Sequence, residues 1–385
     1  MNYKTKRAIK TISLIAAILL TLFFLQEFVV KPWQPMDVQI SGFYKEDKDS
    51  LDVVFIGASD MYNAFAPALA YKEFGFTSYP FAPPRNSVGA WQLQVDEIMR
   101  TQNPKLIVIE VNGALYTEED ALVTEENLRL FTDHMPPSRN KDEFIKKLVQ
   151  KKDRVNYYIP YLKYHGNITS LKEAARIMYE RLCFEARGGL YMKGERTHFE
   201  IDYFEHEMWD TKNDDEELAV EPMHEAALRS MLEYSLENVD CPILFIRAPH
   251  YITQEEEIST QFFHRTNRVG NIVQDYGYDF INFDKLHDEL GLDHKRDFHN
   301  AEHLNINGQI KFTEYLGRLL VENYGLGDTE HSDVVRQKWE RAVSYFDALL
   351  KHGYELMERE AEPEEYELYE VESQELLNII KPSDM

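Results

Sequence analysis

Five short apolar segments recur along the chain, and each has the length of a buried strand. Strands that helices cover on both faces form continuous apolar runs, unlike the alternating pattern of a half-exposed strand. The three clearest runs and two weaker ones are LDVVFIGAS (51–59), PKLIVIEVNG (104–113), CPILFIRAP (241–249), FTSYPF (76–81) and YDFINF (278–283). The pattern therefore predicts a sheet in the interior of the protein.

Helical patterns lie between these predicted strands. They cover residues 67–74, 89–101 and 222–238. A helix between two consecutive strands makes the strands parallel, because the chain crosses back over the sheet before the next strand begins. We therefore predict an α/β fold with an open parallel sheet flanked by helices.

A long segment, residues 117–220, lies between the predicted strand in 104–113 and the predicted strand in 241–249. It is rich in charged and aromatic residues, and DEFIKKLVQKKDRVNYYIPYL (142–162) and SLKEAARIMYERLCFEAR (170–187) have the periodicity of amphipathic helices. We expect a helical insertion that forms a lid or side module. The α/β domain is predicted to cover residues 32–325, and residues 326–385 are predicted to hold a C-terminal helix and an acidic tail.

The N-terminal segment predicts a membrane anchor. Residues 11–30 contain a single charged residue, Glu27, and about 20 apolar residues suffice to span a bilayer. A cleaved signal peptide of a secreted protein would have a shorter apolar core and small residues at its cleavage site, whereas this run ends in FVVK. We favour an uncleaved anchor over residues 1–31. The basic segment MNYKTKRAIK before it places the N-terminus in the cytoplasm and the rest of the chain outside.

Composition excludes some classes of function. The net charge of −25 argues against nucleic acid as a partner, since phosphate binding needs basic patches. Ten glutamates lie within residues 355–375, and such a run is typical of a solvated face or a mobile tail. Cys183 and Cys241 either pair outside the cell or remain two buried thiols. The sequence holds no CxxC or HExxH motif, so we expect neither a metal nor a cofactor.

Three polar clusters are expected at the carboxyl edge of the sheet, where open parallel sheets bind ligands. Ser59 follows the first strand, Asn112 ends the third, and the loop DFHNAEHLN (297–305) precedes the last helix of the domain. A serine acts as a nucleophile only with a base within hydrogen-bond reach, and His303 in that loop is the candidate. The alternative is that Ser59 or Asp60 merely caps the following helix.

Other residues near this edge admit two interpretations each. Arg247 and His250 follow the fourth strand, where they either hold an anionic substrate group or serve the structure. His299 is interpreted as a surface residue of its loop rather than a second base. The aromatic segment FEIDYFEHEMW (199–209) either stacks on sugar rings or packs the insertion on the core.

These blocks resemble the SGNH/GDSL hydrolase superfamily. GASD (57–60) is similar to its first block, and NAEHLNINGQIKFTEYL (300–316) is similar to its last. The residues of the last block are closer still to those of a membrane-anchored subgroup similar to the teichoic acid D-alanine transfer protein and alginate-type O-acetyltransferases. The resemblance covers residues 50–116 and 222–321. It implies a flavodoxin-like fold and an extracytoplasmic esterase or acyltransferase for acyl esters of cell-envelope polysaccharide, with a multi-span membrane O-acyltransferase as a partner.

The resemblance also implies roles for individual residues. Ser59 would be the nucleophile and His303 the general base. The oxyanion would be held by the backbone N–H of Ser59, by Asn112 and by a group of the second block, for which Asn86 and Gly89 are the candidates. In the family, Gly and Asp flank the asparagine that corresponds to Asn112, and both are missing here.

The acid that orients the base departs from the family pattern. It stands three residues before the histidine in the family, and that position is Asn300 in this chain. Either the side-chain oxygen of Asn300 or the carboxylate of Asp297 would then hold the ring of His303, and we weakly prefer Asp297 because a flexible loop would let it reach the ring. If neither does, the chain is a catalytically inactive SGNH-fold scaffold or a glycan-binding component of the envelope.

Overall fold

The chain was analysed as a computed structural model. The structure describes residues 3–26, 30–32, 37–117, 124–167, 172, 174–179 and 191–359. Cys183 and the acidic tail from residue 360 onward lie outside the described residues, as does most of the helix predicted over 170–187, of which residues 174–179 are helical.

A parallel sheet of five strands lies at the centre of the molecule, with the order β2-β1-β3-β4-β5. All strand pairs in it are parallel, so the chain crosses over the sheet between successive strands. The strands are β1 (Val53–Ile56), β2 (Ser78–Pro80), β3 (Leu106–Glu110), β4 (Ile243–Arg247) and β5 (Asp279–Asn282). Each lies within one of the five apolar segments, which confirms the predicted open parallel sheet.

Helices cover both faces of this sheet, which explains the continuous apolar runs. Alternate residues of a strand point to opposite faces. Val54 and Ile56 of β1 pack with Trp91 on one face, whereas Val53 and Phe55 pack with Phe312 on the other. Both halves of a strand are therefore buried, and the predicted layer arrangement is confirmed.

The helices of the α/β domain begin and end close to the predicted positions. Those predicted over 67–74 and 222–238 are found with these bounds, and the one predicted over 89–101 begins one residue earlier. The described helices of this domain are α2 (Asp37–Phe43), α3 (Ser59–Ala64), α4 (Pro67–Phe74), α5 (Val88–Thr101), α10 (Pro222–Asn238), α11 (Glu257–Asp275), α12 (His287–Leu290) and α13 (Ile306–Tyr324). The C-terminal helix is α14 (Asp333–Glu358).

The insertion is helical, but its first predicted helix is broken. Four α-helices lie within residues 124–167: α6 (Glu125–Thr132), α7 (Arg139–Leu148), α8 (Arg154–Tyr158) and α9 (Tyr161–Tyr164). The prediction of one helix over 142–162 is therefore wrong. A turn over residues 151–153 ends the run, and Pro160, which has no N–H to donate, separates α8 from α9.

The C-terminal helix packs against the α/β domain. Phe346 and Leu349 of α14 share a buried cluster with Ala68 and Leu69 of α4. Gly353 of the same helix lies against Phe199, and a Cβ atom at Gly353 would stand 1.9 Å from a ring carbon of Phe199. The close approach joins the C-terminal helix to the last part of the insertion.

The N-terminal helix α1 (Tyr3–Leu25) differs from all of these helices. It is 23 residues long with a mean hydropathy of 2.3 over its most apolar window, and none of that window is buried in the protein. It is long and apolar enough to cross a membrane. The apolar segment predicted as an anchor is therefore a helix of suitable length.

Gly113 allows two loops at the carboxyl edge of the sheet to pack together. A Cβ atom at Gly113 would lie 2.1 Å from the backbone oxygen of Asn86 and 3.1 Å from the ring of Trp91. Since backbone cannot move aside as a flexible side chain can, only glycine fits here. The contact keeps the turn after β3, which carries Asn112, against the segment before α5.

We expect Gly113→Ala to lower the free energy of unfolding by about 1–3 kcal/mol, the usual cost of overpacking. Denaturant unfolding of the full-length protein in detergent measures it. Gly166→Ala is the matched control, because a Cβ at Gly166 would meet nothing within 4 Å. Equal stability of the two variants would show that the loops are not held as described.

Candidate active site

Ser59 lies where the sequence pattern predicts it, at the carboxyl end of β1. It is the first residue of α3 and is partly exposed. Its side chain lines a cavity of about 450 Å³, together with Asn112 and Arg85. The alternative role as a helix cap is not observed for Ser59, since Ala58 occupies the N-cap position without a side-chain hydrogen bond.

The neighbour of Ser59, Asp60, is the centre of a buried polar cluster. One carboxylate oxygen of Asp60 accepts a hydrogen bond from Asn112 Nδ2 at 2.7 Å, and the other lies 2.6 Å from His250 Nε2. The second ring nitrogen of His250 lies 3.2 Å from the carboxylate of Asp284. His250 is therefore held between two carboxylates, and both of its ring nitrogens are protonated when it carries a charge.

Arg247 extends this cluster across the sheet. Its Nε lies 3.3 Å from Asp284 Oδ2 and its Nη1 lies 3.4 Å from Glu110 Oε1. Glu110 also accepts a hydrogen bond from the backbone N–H of Asn112 at 3.0 Å. We call Asp60, Glu110, Arg247, His250 and Asp284 the buried charge network; each has 5% or less of its surface exposed.

Burial and neighbouring charge set the protonation of this network. Burial opposes a charge on His250, and so does Arg247, but Asp284 and Asp60 outweigh both and raise the pKa of His250 to about 9. Burial and the charge of Asp60 raise the pKa of Glu110 to about 7. The pKa of Asp60 lies below its usual range despite burial, because His250 donates to it. At neutral pH the network thus contains a cationic His250 beside an anionic Asp60.

His303 approaches Ser59 from a small antiparallel hairpin. Its strands are β6 (Phe298–Asn300) and β7 (His303–Leu304), and β7 contacts α3. Burial lowers the pKa of His303, against the opposing attraction of Asp60 and Glu302. Its Nε2 is buried and has no hydrogen-bond partner within the described part of the chain. His303 is therefore a neutral imidazole, the form that accepts a proton.

No hydrogen bond joins Ser59 to His303 among the described residues. Catalytic hydrogen bonds are often long in unliganded enzymes and tighten with substrate. The structure thus places the predicted nucleophile and base on adjacent elements, and the contact between their side chains remains a prediction.

The two candidates for orienting His303 occupy different positions. Asn300 is paired directly with His303 across the hairpin, and its Oδ1 accepts a hydrogen bond from the backbone N–H of Glu302. Asp297 is buried and bound elsewhere: its Oδ2 lies 2.6 Å from Lys311 Nζ and 2.6 Å from the backbone nitrogen of Asp293. The weak preference for Asp297 finds no support in this arrangement, because Lys311 and the backbone of Asp293 occupy its carboxylate.

Asn86 is also bound away from the cavity. Its Nδ2 donates to Gln94 Oε1 at 2.8 Å, and Gln94 in turn donates to the carbonyl of Phe81. This chain of hydrogen bonds fixes the segment between β2 and α5. The arrangement gives Asn86 a structural role, and it does not place its amide beside Ser59.

Two stacked histidines lie next to the hairpin. The rings of His198 and His299 are 3.8 Å apart and within 8° of parallel, and Glu200 completes a group whose ligand atoms lie within 4.8 Å of one another. A metal ion must lie close to the plane of each imidazole that binds it, and the planes of stacked rings do not meet. Burial also keeps both rings neutral by lowering their pKa. We therefore interpret this pair as packing.

The sequence pattern did not reveal the buried charge network as a unit. Arg247 and His250 were recognised as rim residues with an undecided role, and Asp60 only as a cap. Glu110 and Asp284 were not singled out. The pattern that could have found them is a charged residue that directly ends an apolar strand segment, as in LIVIE (106–110), ILFIR (243–247) and INFD (281–284).

Comparisons with protein-family models, curated proteins and solved structures found no match to this chain. The resemblance to the SGNH/GDSL superfamily therefore remains an interpretation of the sequence blocks.

The buried charge network predicts a loss of stability in alkali. The folded-state pKa of His250, about 9, lies above its usual 6.5, so its stabilisation is present below pH 6.5 and is lost as the pH rises through 9. Glu110, raised to about 7 from 4.5, acts in the same direction at lower pH, since its contribution is lost between pH 4.5 and 7. We expect the free energy of unfolding to fall by at most about 3–4 kcal/mol per group, at ~1.4 kcal/mol for each pKa unit.

Denaturant unfolding at a series of pH values measures this effect. His250→Gln should be much less stable than wild type at pH 6, and the difference should shrink as the pH approaches about 9. His165→Gln, at an exposed position, is the control and should follow the wild-type profile. A difference between His250→Gln and wild type that stays constant with pH would contradict a charged His250.

Proposed function

We propose that this chain is a membrane-anchored serine esterase or O-acyltransferase of the SGNH type that acts on acyl esters of cell-envelope polysaccharide. The observation that carries the proposal is the placement of a partly exposed Ser59 and a neutral His303 on contacting elements at the carboxyl edge of a parallel sheet, with His303 Nε2 unbonded among the described residues. Nucleophile and base need this relation, while a residue that only caps a helix does not.

The reaction proceeds in two steps. Ser59 Oγ attacks the acyl carbonyl carbon while His303 Nε2 takes the hydroxyl proton, and the ester C–O bond then breaks as His303 returns the proton to the departing alcohol. Water or a sugar hydroxyl attacks the resulting acyl-serine and gives its proton to His303, and His303 passes this proton to Ser59 Oγ as the second C–O bond breaks. Hydrolase and transferase thus differ only in the acceptor.

Asn112 is suited to hold the oxyanion of each step. One of its amide hydrogens is directed to Asp60, and the carboxylate fixes which end of the amide bears the nitrogen. The second amide hydrogen and the backbone N–H of Ser59 are the proposed donors to the developing negative charge. Donors held rigidly before the reaction stabilise a transition state more effectively than mobile water.

Aromatic side chains support a sugar-bearing substrate. The cavity beside Ser59 is lined by Tyr116, Tyr251, Phe262 and Phe263. Flat rings offer apolar faces to the C–H groups of sugars, and the tyrosine hydroxyls offer hydrogen bonds. We propose that the acyl group lies at Ser59 and the glycan lies along these rings.

The proposed location follows from α1. The helix would span the membrane once with the basic N-terminus in the cytoplasm, so the cavity would face outward. A multi-span membrane O-acyltransferase would supply the acyl group from the inner side in the transferase version of the proposal.

A second candidate function is a catalytically inactive scaffold or glycan-binding component of the envelope. It is favoured by the partners of Asp297, whose carboxylate binds Lys311 and makes no hydrogen bond to His303 among the described residues. Loss of the triad carboxylate costs about 10⁴ in turnover in a serine protease. The aromatic cavity would then bind a glycan without turnover.

Labelling with a fluorophosphonate probe tests the first function against the second. We expect the full-length protein in detergent to be labelled, Ser59→Ala to be unlabelled, and His303→Ala to be labelled about 10²–10⁴ times more slowly, the range lost with a general base. Gel fluorescence over time measures the rates. Ser259→Ala is the control, because Ser259 lines the same cavity and its loss should leave labelling unchanged.

Absence of labelling in a folded wild-type protein would reject the esterase. Labelling that persists in Ser59→Ala and disappears in Ser259→Ala would instead move the nucleophile to α11.

Restoring an acid in the hairpin provides a further test. We expect Asn300→Asp to raise the labelling rate of Ser59 by ~10-fold or more, since the carboxylate would face His303 across the hairpin and stabilise its protonated form. Asp297→Asn should change the labelling rate little but lower stability, because it leaves Lys311 without its partner. Stopped-flow labelling and denaturant unfolding measure the two effects. The reverse pattern would make Asp297 the orienting acid.

A further inference from the structure

Outside α1, four exposed apolar side chains lie close together in sequence on two short helices of the insertion. Val155 and Tyr158 of α8, Ile159 between the helices, and Leu162 of α9 each have between 43% and 48% of their surface exposed. Single exposed apolar residues are normal, whereas a contiguous group marks a contact surface. We call these four residues the insertion patch.

The insertion patch lies at the end of α1. The backbone N–H of Tyr161 donates to the side chain of Gln26, the residue that follows α1, at 3.4 Å. A few residues later, Lys31 Nζ donates to the carbonyl of Asp133 at 2.5 Å, and the hydroxyl of Tyr164 donates to the carboxylate of Asp133 at 2.7 Å. The patch therefore begins where the apolar helix ends.

The segment that holds the insertion patch carries a net charge opposite to that of the whole chain, although one of its lysines, Lys163, is paired with Glu125. Residues 151–163 contain three lysines, one arginine and one aspartate, a net charge of 4 − 1 = +3, in a chain of net charge −25. Lys151 and Lys152 are exposed and directly precede α8. Basic and aromatic residues beside an apolar surface are typical of protein segments that lie at the headgroup level of a bilayer.

We propose that the insertion patch docks on the outer headgroup region of the bilayer that α1 spans. The inference rests on the proposed anchoring by α1 and is independent of catalysis at Ser59. The bilayer is the occupant because the patch begins where α1 ends, and because the exposed lysines beside it complement anionic headgroups. Two attachments, α1 and the insertion patch, would hold the domain in one orientation to the membrane, which a single helix followed by a linker does not do.

Site-directed spin labels on the full-length protein test this docking. The protein is reconstituted in phosphatidylcholine–phosphatidylglycerol vesicles with one label at a time, through Leu20→Cys in α1, Ile159→Cys in the patch or Leu236→Cys in α10. Cys183→Ser removes one native thiol, and Cys241 is buried with its pKa raised to about 11, so it remains unlabelled. Leu236 is the matched control, with 58% of its surface exposed.

Oxygen concentrates in the bilayer and a nickel chelate in water, so the ratio of their collision rates reports depth. We expect Leu20 to report the bilayer interior, Ile159 the headgroup region, and Leu236 water. An Ile159 label that matches Leu236 while Leu20 reports the bilayer would overturn docking and leave the anchor intact. A Leu20 label in water would overturn the anchor, and docking with it.

The contribution of charge is tested in the same vesicles. Lys151→Gln with Lys152→Gln should move the Ile159 label toward water and leave the Leu20 label at its depth. Lys338→Gln with Lys351→Gln, on α14, is the control for the loss of two positive charges. An equal shift of the Ile159 label in both pairs would overturn the role assigned to the basic residues of the patch.

Discussion

The pairing of buried charges at the carboxyl edge of the sheet constrains the rest of the structure. Ionised groups removed from water persist only when they are paired, and removal of one partner leaves an uncompensated charge. Arg247 ends β4, Asp284 follows β5, Glu110 ends β3, and Asp60 follows β1. These ends meet only if the strands have the observed order and register, so the network and the sheet specify each other.

The network also makes the two halves of the candidate site unequal. Ser59 and Asn112 are fixed, because Asp60 binds Asn112 on one side and His250 on the other. His303 lies on a hairpin whose two strands have three and two residues and an irregular register. Asn305 holds the base of the hairpin through the carbonyl of Arg296 at 2.8 Å. The proposed chemistry at Ser59 therefore depends on how closely this hairpin approaches α3.

The sequence predicted those parts of the structure that depend on local pattern. Apolar runs located all five strands of the parallel sheet, and periodicity located α4, α10 and α14. A strand buried on two faces gives a continuous apolar run, and a helix buried along one stripe gives a helical spacing. Pro160 signals a helix break in the insertion, but the amphipathic spacing continues on both sides of it and suggested one helix.

Contacts between distant residues were beyond such reasoning. His250 and Asp60 are 190 positions apart, and Arg247 and Glu110 are 137 positions apart, so their pairing follows from strand order and not from any local motif. The choice between Asn300 and Asp297 depended on the register of the hairpin. Strands of three and two residues are too short to show this register in the sequence. Asp297 was an attractive acid in the sequence, and only the structure shows that Lys311 occupies it.

The buried charge network supplies part of the electrostatic stabilisation that a triad carboxylate would give to protonated His303. A triad carboxylate stabilises the imidazolium that forms when the base takes a proton. The charge of Asp60 acts on His303 in the same direction, since it raises the pKa of His303 against the larger opposing effect of burial. Asp60 is already compensated by His250 and Asn112, so its effect at His303 is weaker than that of a dedicated acid. An esterase built in this way would be slow. Slow acyl transfer would suit the proposed polymer substrate if the aromatic cavity and a membrane-fixed domain hold it in place, because a long-lived complex gives a slow step time to occur.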